Sequence, residues 1–153
     1  MIATATDTIA RHEGERPVGW LSPWIAETAV TPDLLQEAGY RYVLDWCLDD
    51  QSVWLNTRDG KILSVRYPQE INDSAAIIGR QVGAAEFGDM IIDQFEEMRR
   101  QSEHQPLAMG ITLQAMIIGQ PLRQRHLRRA LEHIASGIWI TTAGAIAHHF
   151  ENR

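Results

Sequence analysis

Short apolar, β-prone runs alternate with amphipathic helical stretches along nearly the whole chain, and this alternation limits the fold more than any other feature. Strands alternating with helices imply a parallel α/β layer whose faces are covered by the helices. The pattern starts with a helix over residues 2–14, where Ile2, Thr6, Ile9 and Ala10 sit at helical spacing before Gly14. That helix begins at or before the first residue, as in a chain that starts inside an element. A short β-prone stretch, Pro17 to Trp20, follows. Then "TPDLLQEAG" carries strong helix signals: Thr31 as N-cap, Pro32 in the first turn and Gly39 as the stop. Residues 40–46 read as a buried strand, and "SVWLNT" and "KILSVRYP" flank Arg58-Asp59-Gly60 as a hairpin.

The second half repeats the alternation. Residues 68–84 are irregular, with one helical turn at Asp73–Ile78. A long helix runs from Ala84 to His104 with Phe87, Ile91, Phe95 and Met98 as its apolar stripe. A buried strand over 107–113 leads through a loop to a helix over 122–135, with Leu127, Leu131 and Ile134 inward. A short strand, Ile138–Thr141, and a last helix, Thr142–His149, complete the order. Only about four parallel strands can be counted, whereas a closed eight-stranded barrel needs roughly 200 residues or more. The expectation is one domain over residues 1–153, an α/β partial barrel with one β-hairpin. Its outermost strands, 18–20 and 138–141, would be open edges, so self-association is expected.

Composition excludes several function classes. A formal net charge of −6 argues against general binding to nucleic acid or to an anionic membrane. No apolar run approaches the ~20 residues of a membrane helix. The first residues lack the basic and apolar regions of a signal peptide, and Cys47 is the single cysteine, so a cytoplasmic location is expected.

Few residues are placed to do chemistry. The C-terminal ends of parallel strands are where α/β proteins put their sites. Trp20, Trp24, Trp46 and Trp54 fall within one stretch, and Trp24 and Trp46 lie at or beyond strand ends. They could wall a sugar or another flat ligand, although for any one of them plain packing is the weightier reading. Asp45, Asp49 and Asp50 cluster after the strand at 40–46. Asp45 could serve as an acid, a base or a metal ligand, or could cap its own loop, and for Asp49 and Asp50 the solvated loop is favoured. The six histidines show no metal-ligand spacing. Cys47 has no evident base partner and reads as an inert thiol, and "RQRHLRR" reads as a solvated helical face. At the end of the 107–113 strand the first polar residue is Gln114, an amide that does not ionise.

Taken in order, "RPVGWLSPW", "TPDLLQEAGYRYVLDWCLDD", "YPQEINDSAAI", "FGDMIIDQF", "GITLQ", "IGQPLRQRHLRRALEHI" and "IWITTAGAIAHH" resemble the C-terminal half of the polysaccharide deacetylase (NodB-homology) family. The likeness is to its allantoinase-like, urate-catabolism-type branch, and it covers residues 5–150. It implies half of a deformed (β/α), TIM-barrel-like barrel and hydrolysis of non-peptide C–N bonds, in acetylated sugars of carbohydrate metabolism or in cyclic ureides. In metal-using members an Asp-His-His set holds a divalent cation such as zinc, a further Asp is the base and a late His the acid. The resemblance places those early motifs before residue 1, so no metal or cofactor is expected in this chain.

Three family positions map here. The Arg-Pro motif falls on Arg16-Pro17 with Trp20, the Asp-Trp motif on Asp45-Trp46, and the late Leu-His motif on Leu113-Gln114. Related chains would thus carry an imidazole where Gln114 stands. The resemblance implies Asp45 and Gln114 at catalytic positions and Arg16, Trp20, Trp24 and Trp46 at a sugar or small-molecule site. It also implies a truncated relative, inactive alone, that needs its missing half on another chain or a second copy of itself. A non-catalytic ligand-binding or scaffold module and a gene remnant are the alternatives.

Overall fold

Among the described residues the β-strands form one sheet of four, in the order β1-β2-β4-β3. The computed structural model describes residues 1–152. The chain divides into two compact units, Met1–Arg66 together with the segment from Thr141 onward, and Tyr67–Ile140.

The first unit holds the sheet. β1 (Gly19–Trp20) lies parallel to β2 (Tyr42–Val43), and β2 lies parallel to β4 (Gly60–Ser64). β3 (Val53–Thr57) is the antiparallel arm of the expected hairpin, with Thr57 paired to Gly60 across Arg58 and Asp59. The hairpin is therefore part of the parallel layer, since β4 supplies its third strand. Alternation along the strands sends side chains to opposite faces. Ile62 and Val43 pack with Leu35 and Tyr40, the side covered by α1 (Ile2–Glu13) and α2 (Thr31–Glu37). Leu63 and Val65 pack with Ala147 on the other side, under α6 (Ala143–Glu151). Arg41, just before β2, forms a two-pronged ion pair with Glu151 of α6. Parallel strands want both faces covered, and these are.

Helix boundaries follow local chemistry. Gly14 ends α1 at φ 83°, where its N–H reaches the Ala10 carbonyl. Thr31, expected as the N-cap of α2, is instead its first helical residue, and its hydroxyl accepts from the Thr28 N–H.

The second unit is helical. α3 (Ala84–Gln101) presents Phe87, Ile91, Phe95 and Met98 inward, as its spacing predicts. It packs on α5 (Pro121–Ile134), where a Cβ on Gly88 would meet the His126 carbonyl at 3.1 Å. The inward residues of α5 are Leu127, Ala130 and Ile134, whereas Leu131, expected inward, is 40% exposed. The helical turn expected at Asp73–Ile78 is a π-helical turn at Ser74–Gly79.

Two expected strands do not form. Residues 107–113 are extended but pair only once, Asn72 beside Thr112. A strand needs a ladder of backbone partners, and this one is cut short after a single rung. The Asn72 side chain accepts from the N–H groups of Ser74 and Ala75 and turns the partner segment into a helix at once. Ile138, Trp139 and Ile140 are exposed and lie in no strand. The loop expected after Gln114 contains instead a single turn of helix, α4 (Ala115–Ile118), whose Ile117 and Ile118 enter the core. Gly119 and Pro121 stop it, since neither continues that helix.

Phe87 is fully enclosed at the centre of the second unit's core. Phe87→Ala should lower unfolding stability by about 3–5 kcal/mol, transfer and cavity terms together. Urea denaturation of the two proteins measures this directly.

Candidate functional site

A single register row organises the strand ends of the first unit. Trp20, Val43 and Ser64 are neighbours across β1, β2 and β4. The ladder runs one step further, with Leu44 N–H on the Trp20 carbonyl and Val65 N–H on the Val43 carbonyl. Two residues beyond the row on each strand stand Ser22, Asp45 and Arg66. Parallel strands place these three on the same, C-terminal edge.

Asp45 is buried, 5% exposed, and ties this edge together. Its Oδ1 accepts from the Ser22 N–H at 2.6 Å and its Oδ2 from the Ser22 hydroxyl, also at 2.6 Å. The Ser22 hydroxyl in turn accepts from Trp20 Nε1 at 2.8 Å. Trp20 stands edge-on to Tyr40, ring centres 5.3 Å apart, so the indole is fixed by packing as well as by its hydrogen bond. Glu27 adds a second carboxyl. Both its oxygens are enclosed and receive no N–H or O–H donor. Burial first, then the charge of Asp45, push the Glu27 carboxyl from its ordinary 4.5 up to about 7.

Arg66 pairs with Asp50 through Nε and Oδ1, 2.5 Å apart. The Asp50 reading as a purely solvated loop residue is thereby replaced: its partner guanidinium is largely enclosed. Trp24 is 94% exposed, in a 3-10 turn (Pro23–Ile25) where Trp24 and Ile25 take φ of 59° and 51°. Trp46 is 44% exposed just beyond Asp45. Trp54 is packed beneath Lys61, and Arg16 is a surface residue paired with Asp7 at 3.5 Å. The structure thus gathers Trp20 with Asp45 and sets Trp46 beside them in sequence, but leaves Arg16 on the surface in its own ion pair.

Gln114 belongs to the second unit. Its backbone N–H donates to Oδ2 of Asp73 at 2.9 Å. Asp73 is fully buried, and its other oxygen, Oδ1, receives no donor. The Gln114 carboxamide oxygen is also enclosed and unpartnered. Glu27 and Asp73 were not foreseen from the sequence. Glu27 sits in an unpatterned loop, and the only hint at Asp73 is an Asn-Asp-Ser stretch, a common turn composition.

No group of three or more His, Cys, Asp or Glu among the described residues could hold a metal ion. Among the described residues the donors therefore do not fit a divalent cation. No described helix is long and apolar enough to cross a membrane.

No family model matches the sequence, and no curated protein matches it. Solved structures do. The structure of Puue allantoinase superposes with a TM-score of 0.88 at 26% identity, over 99% of this chain and 51% of that one. A probable polysaccharide deacetylase from Pseudomonas aeruginosa PAO1 gives 0.86 at 24% identity, over 99% and 52%. A putative polysaccharide deacetylase from Mycobacterium smegmatis gives 0.82 at 20%, over 98% and 55%. The chain therefore has the α/β fold of the deacetylase-type barrel, over about half the length of these structures. This agrees with the NodB-homology resemblance carried by its motifs.

Asp73→Ala should strand the Gln114 N–H in the interior without an acceptor. The loss should be about 1–3 kcal/mol, the typical penalty for a buried unmet donor. Hydrogen exchange at the Gln114 amide should accelerate in step, which locates the effect.

Proposed function

We propose that this chain forms part of a site for hydrolysis of a non-peptide C–N amide bond, in an acetylated amino sugar or a cyclic ureide. The observation that carries this reading is the superposition on an allantoinase and on deacetylases over essentially the whole chain, with a buried, hydrogen-bonded Asp45 at the end of a parallel strand. In this reading Asp45 holds the strand-end geometry, and Trp20, Trp24 and Trp46 offer flat apolar surface to the ligand.

Amide hydrolysis requires a proton for the departing nitrogen as the tetrahedral intermediate collapses. The position where the resemblance puts that donor is Gln114, and a carboxamide cannot give up a proton near neutral pH. By this reading the 153 residues do not hydrolyse the substrate alone and act with a segment that brings the base, on another chain or in a larger protein. In this reading Asp73 would serve such an imidazole: its Oδ2 holds the Gln114 backbone N–H and its Oδ1 receives no donor. Carboxylate–imidazole pairing orients the ring and favours its protonated form.

One observation favours binding without turnover. Trp24 is almost wholly exposed on a turn of unfavourable backbone geometry, a conformation more often kept for contact with a ligand than for packing. Under that reading N-acetylglucosamine or allantoin quenches Trp24 fluorescence and is recovered unchanged.

Gln114→His separates the two. With a related N-terminal segment fused or co-expressed, the substitution should raise amidase activity at least about tenfold, with a rate that follows one ionisation near neutrality. In the 153-residue chain alone it should do nothing. Binding with no gain in the completed protein would support the ligand-binding module instead.

A further inference from the structure

We propose that the open side of β1 is a docking edge: it takes a parallel β-strand from the half of a deacetylase-type chain that this protein does not span. The inference rests on the reading that the chain acts with a further segment, and it names where that segment seats.

Among the described residues, β1 is the one parallel strand of the sheet with a free side. β2 lies between β1 and β4, and β4 lies between β2 and β3. Parallel layers bury their strands, so an open parallel edge is out of place. The carbonyls of β1 show which side is taken. Val18 accepts from the Arg41 N–H and Trp20 from the Leu44 N–H, both on the β2 side. Backbone groups alternate along a strand, so the N–H and C=O of Gly19 point the other way, to the free side. No described strand pairs with them there.

The flanks of this edge suit contact rather than solvent. Edges that face water are blunted by charged side chains or bulges. Here Val18 and Leu21 are apolar, and they are 42% and 43% exposed. Gly19 adds to the apolar surface by having no side chain. A Cβ on it would meet the Tyr42 ring at 2.1 Å, so the glycine is what lets that ring lie across β1. Pro17 has no N–H to give and confines pairing to the residues after it.

Two features select the occupant. The superposed fold accounts for 51%, 52% and 55% of the three similar chains, so each carries nearly as much chain again beyond it. The sheet runs parallel from β1 to β4, and a strand added to β1 in the same sense continues it. A second copy of this chain fits less well. Two β1 strands related by a two-fold axis would run antiparallel and break the parallel layer, and each copy brings a net charge of −6.

Co-expression of the 153-residue chain with the segment of each similar protein that lies outside the superposed part, followed by amide hydrogen exchange, tests this. At least one segment should bind and slow exchange at the Gly19 N–H by at least about tenfold, as strand pairing protects an amide. Val18→Lys together with Leu21→Lys puts two charges on the edge and should weaken that binding at least about tenfold. Leu131→Lys, at an exposed apolar position in the second unit, should leave it unchanged. Failure of all three segments to bind, or a complex in which Gly19 exchanges as in the free chain, would overturn the proposal. So would a dimer of this chain alone that protects Gly19. Protection of Gly19 without an amidase gain from Gln114→His counts against the hydrolytic reading only. A gain without that protection counts against the docking edge only.

Discussion

Asp45 fastening Ser22 is the contact on which the strand-end edge of the first unit depends. β1 and β2 are only two residues long, so their ladder alone specifies little. Two hydrogen bonds of 2.6 Å from one buried carboxyl to the backbone and side chain of Ser22 extend the pairing beyond the ladder. Charge-assisted bonds of this kind are roughly twice as strong as neutral ones. They fix where the chain leaves β1, hence where Trp24 emerges, and through the Ser22 hydroxyl they also hold the Trp20 indole.

A different device does similar work in the second unit. Asn72 and Asp73 sit side by side, and each serves a separate backbone. Asn72 caps the π-helical turn through Ser74 and Ala75, whereas Asp73 reaches across to hold Gln114. One rung of parallel pairing, Asn72 beside Thr112, is all the strand structure the unit keeps. Its stability comes from α3 against α5 and from the apolar residues they enclose with α4. Gln114 is held by its backbone N–H while its side-chain oxygen is enclosed without a partner.

Helices were legible in the sequence because a 3.6-residue stripe is local information. Phe87, Ile91, Phe95 and Met98 declare their face without reference to anything else. The hairpin was legible too, from the Arg58-Asp59-Gly60 turn between two β-prone runs. Strands were less so, because a strand exists only where a partner does. Residues 107–113 and 138–141 have the composition of strands but lack the ladder, and the sequence does not state which segments meet. Leu131 was misplaced for a related reason. It lies next to the buried Ala130, and which of two adjacent positions turns inward depends on how α5 sits on α3. At the site, Asp45 could be recognised by its place after a strand. Glu27 and Asp73 could not, since each gains its meaning from a carboxyl or an amide distant in sequence. The family likeness was carried by several short motifs in fixed order, which explains how it is recognisable at 26% identity or less.

If the Ser22–Asp45 clasp organises the site, the two residues must be energetically coupled. A double-mutant cycle of Ser22→Ala and Asp45→Asn, read by chemical denaturation of the 153-residue chain, measures that coupling directly. The account predicts a coupling of about 0.5–3 kcal/mol, the range for residues sharing one hydrogen-bond network. Additive effects, with coupling within about 0.3–0.5 kcal/mol of zero, would contradict it.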